Sequence, residues 1–390
     1  MQVLVNGVRL FFDVEGASLV PDGRTMREKA TLILLHGGPG FDHSIYKPTF
    51  SALADIAQVV FLDHRGNGRS DPGPREAWTL AQWGDDVRAF CEVLGIAHPI
   101  VLGVSFGGMV ALAYATRHPA HPAKLILVST EAAGGMYRER RVALFERFGG
   151  PEVGALARRR FLEGHTDEAT LEAWLRLAFP LYTRTPRDPA VVQRAVRHSE
   201  VTHWFTRPGG EGHTFNLFPA LSRLQCPTLV LGGEEDPMTP IECQMDIAAA
   251  LPAHLVRFER FPGCGHGVLP DAPEHAMAVI RTSSSADMQD GNERHGRSVS
   301  RSESSLPSTN PGQVHASKGT RHAGRTAAPS ASANARRSAT KPPSRVPASC
   351  PNILVERPSR PGRAPRGTGQ GSRIMPDRLH FAEARTTHVA

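Results

Sequence analysis

The feature that most constrains this chain is a single junction. Ile100–Val104 is a short, uninterrupted apolar run with the length and composition of a buried strand, and Phe106–His118 reads as a helix that stops before Pro119. One residue, Ser105, separates them. A chain that passes from strand to helix so abruptly needs small residues on both sides so that the two elements pack closely, and Gly103, Gly107 and Gly108 supply them in the string Gly103-Val104-Ser105-Phe106-Gly107-Gly108. Such a turn lifts the serine hydroxyl above the edge of a sheet. It also sets a helix N-terminus, with its free N–H groups and partial positive charge, beside that hydroxyl. The spacing of glycines around a serine recurs by chance in a chain with 37 glycines among 390 residues, so the weight rests on the strand before it and the helix after it.

The flanking sequence repeats the same alternation. Val3–Val5 and Val8–Phe12 meet at Asn6-Gly7, a pair suited to a tight hairpin turn. Buried-strand runs follow at Thr31–Leu35, Val59–Leu62, Leu125–Val128, Pro227–Leu231 and Leu255–Phe258. Leu80, Trp83, Val87, Phe90 and Leu94 give a helical stripe over 79–94, and a last short helix is expected over 273–281. Short apolar strands interleaved with amphipathic helices imply an α/β fold, a mostly parallel sheet covered by helices on both faces. The alternation is suspended between about 131 and 221, where the pattern is helical and rich in Arg, Leu and aromatics. The expected organisation is a core in two parts, 1–130 and 222–281, interrupted by a helical cap at 131–221.

Beyond 281 the composition changes to Ser, Arg, Pro, Ala and Thr. Residues 1–281 carry a net charge of −3 and residues 282–390 a net of +10, so the overall +7 belongs to the tail. The folded part is therefore not expected to bind nucleic acid. The tail is expected to be disordered, since it has too little apolar surface to offset its chain entropy. Three readings of it stand open: a solvated extension, a weak polyanion-binding arm, and a shift of reading frame just after Arg281. The five cysteines, Cys91, Cys226, Cys243, Cys264 and Cys350, are odd in number and lack CxxC spacing. This predicts reduced thiols, no zinc site and a cytoplasmic protein. The N-terminus has no charged start followed by an apolar stretch, and no run approaches the roughly 18 apolar residues of a membrane span.

A serine hydroxyl needs a base to become nucleophilic. Two later strand ends offer one, and an acid to orient it. The 227–231 run ends in Gly232-Gly233-Glu234-Glu235-Asp236-Pro237, and the 255–258 run is followed by Gly263-Cys264-Gly265-His266-Gly267. Of 18 histidines, His266 alone lies in the loop after the last strand. Asp236, preceding Pro237 and a helix, is preferred over its neighbours Glu234 and Glu235. The order Ser105, Asp236, His266 gives a nucleophile, an orienting acid and a general base. Phe106 and Gly38, the latter in His36-Gly37-Gly38-Pro39-Gly40, are the expected backbone donors to an oxyanion. Asp63 and Arg65 are read as a loop ion pair near the sheet's edge, and Cys264 as packing.

The segments HGGPG (36–40), DHRGNGRS (63–70), GVSFGGM (103–109), GGEEDPMTP (232–240) and GCGHGV (263–268) resemble, over about residues 1–281, the proline iminopeptidase branch of the α/β-hydrolase superfamily. The resemblance implies the α/β-hydrolase fold, a serine aminopeptidase that releases N-terminal proline from short peptides, and no metal or cofactor. It also implies a carboxylate in the cap to bind the substrate amine. Pro237 stands where some relatives have a Glu, so Glu200, Glu211 and Glu235 are the candidates for that role. The alternative is an esterase, lactonase or amidase acting on a small neutral acyl compound.

Overall fold

The computed structural model describes residues 1–285. The expectation for the tail therefore falls, apart from its first few residues, outside the described residues. Eight strands form one sheet: β1 (Gln2–Val5), β2 (Val8–Glu15), β5 (Thr31–Leu35), β6 (Gln58–Leu62), β7 (Ile100–Val104), β8 (Lys124–Val128), β9 (Thr228–Gly233) and β10 (Val256–Phe261). Their order is β1-β2-β6-β5-β7-β8-β9-β10. β1 and β2 form the hairpin expected at Asn6-Gly7, and both residues have positive φ, 46° and 79°. β2 pairs antiparallel with β6, and every later pairing is parallel. A separate two-stranded ribbon, β3 (Leu19–Asp22) with β4 (Thr25–Glu28), is a feature the apolar pattern did not announce. Its side chains are almost all exposed, so it carries no buried face to read.

The alternation of strand residues divides the core in two. Ile33, Leu35, Val60, Leu62, Val101, Leu125, Leu127 and Val230 point to one face. There they meet α1 (Leu80–Leu94) and α2 (Phe106–Arg117). Leu32, Leu34, Val59, Phe61, Leu102, Ile126, Leu229 and Leu231 point to the other, against α10 (Val268–Asp271) and α11 (Pro273–Ser285), with Phe50 and Leu53 of a 3-10 segment. Each strand is thus apolar throughout because both of its faces are covered. α1 begins where Thr79 caps it, the side chain accepting from the Gln82 N–H at 3.2 Å, and ends at Gly95 in the left-handed region (φ 70°). α2 has no polar face: every residue from Phe106 to Thr116 is buried. It lies between the sheet, α1 and the chain that follows β8.

Between β8 and β9 the chain is helical: α3 (Arg138–Phe161), α4 (Glu168–Ala173), α5 (Pro189–Gln193), α6 (Ser199–Thr206), α7 (Glu211–Thr214) and α8 (Phe218–Leu221). α3 is broken at Gly150-Pro151, where Gly150 has φ 78°. This insertion has a small core of its own, built on Val142, Phe145, Leu156, Phe161 and Trp174. Phe205 of α6 ties it to the main core through Phe106, with ring centroids 5.4 Å apart. α9 (Ile241–Ala250) then connects β9 to β10.

The α2 junction depends on missing side chains. A Cβ on Gly107 would lie closer than 3.0 Å to the Leu35 carbonyl oxygen, and one on Gly103 equally close to the Gly107 carbonyl. Backbone cannot move aside as a flexible side chain can. Gly107→Ala is expected to destabilise the protein by about 3 kcal/mol or more, at or beyond the upper end for overpacked cores. Urea unfolding compared with wild type checks this, and an unchanged midpoint contradicts the packing argument.

Candidate active site

Ser105 has φ 55° and ψ −119°, a conformation a non-glycine residue holds at a cost of about 1–3 kcal/mol. The surroundings hold it there by hydrogen bonds on both sides. Its N–H donates to the Val128 carbonyl at 2.9 Å, and its carbonyl accepts from the Gly108 N–H at 2.8 Å and the Thr130 hydroxyl at 2.7 Å. The strain thus directs the side chain into a cavity of about 370 Å³ that Gly37, Gly38, Ser105 and His266 line together.

Asp236 is fully buried and accepts four hydrogen bonds. The Met238 and Thr239 N–H groups bond one carboxylate oxygen at 2.7 and 2.8 Å. The Thr239 hydroxyl and His266 Nδ1 bond the other, both at 2.8 Å. A carboxylate so held fixes the imidazole with Nδ1 as donor. His266 Nε2 makes no hydrogen bond within the described residues, leaving it for the cavity that the residue lines. Glu234 and Glu235 turn elsewhere: Glu234 pairs with Arg260 at 2.9 Å, and Glu235 approaches Arg184 at 4.0 Å. Tyr182 packs edge-on to the imidazole with centroids 5.1 Å apart.

Phe106 opens α2, and its N–H, like that of Gly38, makes no hydrogen bond within the described residues. The Phe106 ring is held edge-on by Trp83 (4.9 Å) and His64 (5.6 Å) as well as Phe205. Gly38 has φ 135°, a region open to glycine. The loop around it rests on neutral groups. The Gly37 N–H donates to the Tyr46 hydroxyl at 2.9 Å, and burial pushes that phenol up to about 12. His36 Nδ1 donates to the Gly37 carbonyl at 2.8 Å while its Nε2 accepts the His64 N–H at 3.2 Å.

Three placements differ from the expectations. Asp63 and Arg65 are not paired with each other. Arg65 makes a buried two-pronged ion pair with Asp86, both bonds 2.8 Å, while Asp63 accepts from His43 Nδ1 at 2.7 Å and the Arg69 N–H at 3.0 Å. Their loop follows β6, which lies between β2 and β5 in the sheet order. Next, Glu200, Glu211 and Glu235 do not line the cavity. Glu200 pairs with Arg75 on the surface, and Glu211 accepts the Leu80 N–H at 2.8 Å at the start of α1. The carboxylates that do line the cavity are Glu168 and Glu172, both exposed. Finally, the insertion brings Arg160, Trp174, Tyr182 and Arg187 to the site, none of which the motifs indicated, and the loop after β9 adds Met238. Arg160 carried a signal, since it continues the apolar stripe Val153, Leu156, Ala157 at helical spacing, an unusual place for a charge.

Cys91, Cys226, Cys243 and Cys264 are free and buried; Cys350 lies outside the described residues. Among the described residues the grouping with metal-ligand spacing is Asp42, His43 and Asp63. Its oxygens are already engaged by Ser44, His43 and Arg69. No helix among the described residues is long and apolar enough to cross a membrane.

The model describing the α/β hydrolase fold matches residues 30–273. The chain belongs to the α/β-hydrolase fold family. Among its relatives, the proline iminopeptidase of Lactobacillus helveticus (strain DPC 4571) is 28% identical over 273 residues, spanning 65% of this chain and 89% of the relative. That of Lactobacillus delbrueckii subsp. lactis is 30% identical over 268 residues, spanning 64% and 87%. Among solved structures, the proline iminopeptidase of Mycobacterium smegmatis superposes with a TM-score of 0.60 at 24% identity, covering 75% of this chain and 99% of that one. An esterase from Exiguobacterium antarcticum gives 0.55 at 18% identity, covering 73% and 98%. These two likenesses establish the shared fold.

The buried histidines make the site's scaffold sensitive to acid. Burial pulls His36 below the ordinary imidazole value of 6.5, with Asp63 opposing, and pulls His64 well below it, with the His36 charge adding to the effect. Above about pH 6.5 both are neutral whether folded or unfolded, and their full stability is present. Below it the unfolded chain takes up protons that the folded protein refuses, so stability falls by up to about 1.4 kcal/mol per pH unit for each. The urea midpoint is expected to drop between pH 7 and pH 5, and the drop to be shallower in His64→Gln. Parallel curves for the two proteins contradict this assignment.

Proposed function

We propose that the protein is a serine hydrolase that cleaves a small acyl compound, an ester or amide, through an acyl-enzyme. The observation that carries this reading is the strained Ser105, opening into the same cavity as an imidazole whose other nitrogen is bonded to the buried Asp236. In the proposed mechanism the Ser105 hydroxyl oxygen attacks the substrate carbonyl carbon as its proton passes to His266 Nε2. Asp236 holds the imidazole tautomer and stabilises the cation that forms. The Phe106 and Gly38 N–H groups receive the negative charge developing on the carbonyl oxygen. Collapse of the tetrahedral intermediate expels the leaving group with the proton from His266. Water activated by the same imidazole then hydrolyses the acyl-serine and restores the enzyme.

A second reading, aminopeptidase action on short peptides with N-terminal proline, is favoured by the activity for which its relatives are named and by HGGPG. In that reading Glu168 and Glu172 are the cavity carboxylates available to a substrate ammonium. The four free cysteines support a reducing compartment such as the cytoplasm.

Three chromogenic substrates test the proposal: a prolyl anilide, its N-acetylated twin and a short-chain nitrophenyl ester. Ester cleavage that is indifferent to a free amine supports the first reading, and cleavage restricted to the unacetylated anilide supports the second. Ser105→Ala is expected to lower kcat by about 10³-fold or more in either case, to abolish labelling by a fluorophosphonate and to leave the melting temperature near that of wild type or above it. Full activity in Ser105→Ala overturns both.

A further inference from the structure

The cavity wall contains guanidinium groups that form no ion pair among the described residues. Arg160 is 8% exposed and lines the cavity. Its Nη1 is buried without a hydrogen-bond acceptor, and no ion pair reaches it within the described residues. Its neighbours are the Trp174 ring, 4.8 Å from the guanidinium carbon, the neutral Tyr182, and Arg141, whose charge is taken by Glu131. Stacking on an aromatic face leaves the in-plane N–H groups of a guanidinium unspent. Trp174 Nε1 donates to the Tyr182 hydroxyl at 3.0 Å, and Tyr182 packs on His266, so two rings link this charge to the imidazole.

Arg187 repeats the arrangement from a different segment. It lines the same cavity, its guanidinium lies over the Phe179 ring at 5.2 Å, and its Nε is buried without an acceptor. It sits against Gly267, next to His266. The carboxylate whose charge acts on it is Asp271, and the oxygens of that group are occupied by the N–H groups of Arg184, Thr185 and Gly265 at 2.8–2.9 Å. Burial lowers the affinity of both guanidiniums for their protons, yet arginine stays charged in proteins. A buried charge without a partner is costly. Arg160, buried, and Arg187, half-buried with its Nε enclosed, share one cavity with the reactive serine and describe a subsite built for an anion that arrives with the substrate. Glu168 and Glu172 lie at exposed positions, where water screens them.

Resting on the serine hydrolase reading above, we infer that the physiological substrate is an acyl compound bearing a carboxylate on its acyl chain, which Arg160 and Arg187 bind while Ser105 attacks the carbonyl. A carboxylate is preferred to a neutral acyl tail because each charge-assisted hydrogen bond it makes replaces an unmet one. A substrate ammonium in the same place faces like charge.

The test compares the 4-nitrophenyl monoesters of adipic and suberic acid with their methyl-ester twins, which keep the acyl chain and replace the carboxylate by a neutral group one methyl larger. The expected result for wild type is a kcat/KM at least about 10-fold higher for the acid at one chain length or both, expressed mainly in KM. Arg160→Met and Arg187→Met are expected to bring that acid-to-methyl ratio toward one, and Arg160→Lys to recover part of it. The ratio is read within each variant, so a loss of folded protein does not imitate the result. Equal or better turnover of the methyl esters at both lengths overturns the inference, as does a ratio unmoved in both methionine variants. Ser105→Ala separates the two failures. Methyl-ester cleavage that needs Ser105 but shows no charge preference sinks only this inference, whereas cleavage that survives Ser105→Ala sinks the hydrolase reading beneath it.

Discussion

The close approach of α2 to the strands beneath it is the constraint on which the rest of the structure depends. Gly103 and Gly107 allow backbone to lie against backbone where any Cβ would collide. That contact forces the turn at Ser105 into a strained conformation, which Val128, Gly108 and Thr130 hold in place by hydrogen bonds. The strain has a geometric return: the serine side chain and the first N–H of the helix are presented together at one rim of the sheet. Every other catalytic candidate is placed relative to that point, Gly38 by the loop after β5, Asp236 by the loop after β9 and His266 by the loop after β10.

These loops meet because successive parallel strands all end at the same edge of the sheet, so loops far apart in sequence become neighbours. Asp236 and His266 are 30 residues apart and joined by a 2.8 Å hydrogen bond. The supporting polar groups follow the rule that buried charge must be met. Arg65 is paired with Asp86, Arg141 with Glu131, and Asp236 accepts four donors. Against that background the guanidiniums of Arg160 and Arg187, without an ion pair among the described residues, stand out. Both line the cavity that Ser105 opens into, so they point to something outside the protein.

The main sheet was legible in the sequence because its strands are buried on both faces and read as apolar runs. Observed strand ends lie within a few residues of the expected ones, as with Leu255–Phe258 and β10, Val256–Phe261. The β3–β4 ribbon escaped notice because nearly all its residues are exposed, leaving no pattern to read. Around the site, glycines and proline mark the loops that carry Gly38, Ser105, Asp236 and His266, since such turns demand particular residue types. The pairings of Asp63 and Arg65 were not legible. Proximity in sequence suggested a bond between them, whereas the turn sends one to His43 and the other across to Asp86.

Local sequence determined the α/β class, the strand-to-helix turn at Ser105 and the order of serine, acid and histidine, because each of these follows from backbone requirements within a few residues. The lining of the cavity was decided by tertiary structure alone. Which acid faces inward, and whether an arginine is solvated or buried, depends on how the insertion folds over the sheet. Glu200 and Glu211 went to Arg75 and to the Leu80 N–H, while Arg160, in a run of three arginines that reads as a solvated face, was turned inward onto Trp174. A charge's environment is a property of what packs around it in space; helical spacing hinted that Arg160 faces inward, but not what it would face.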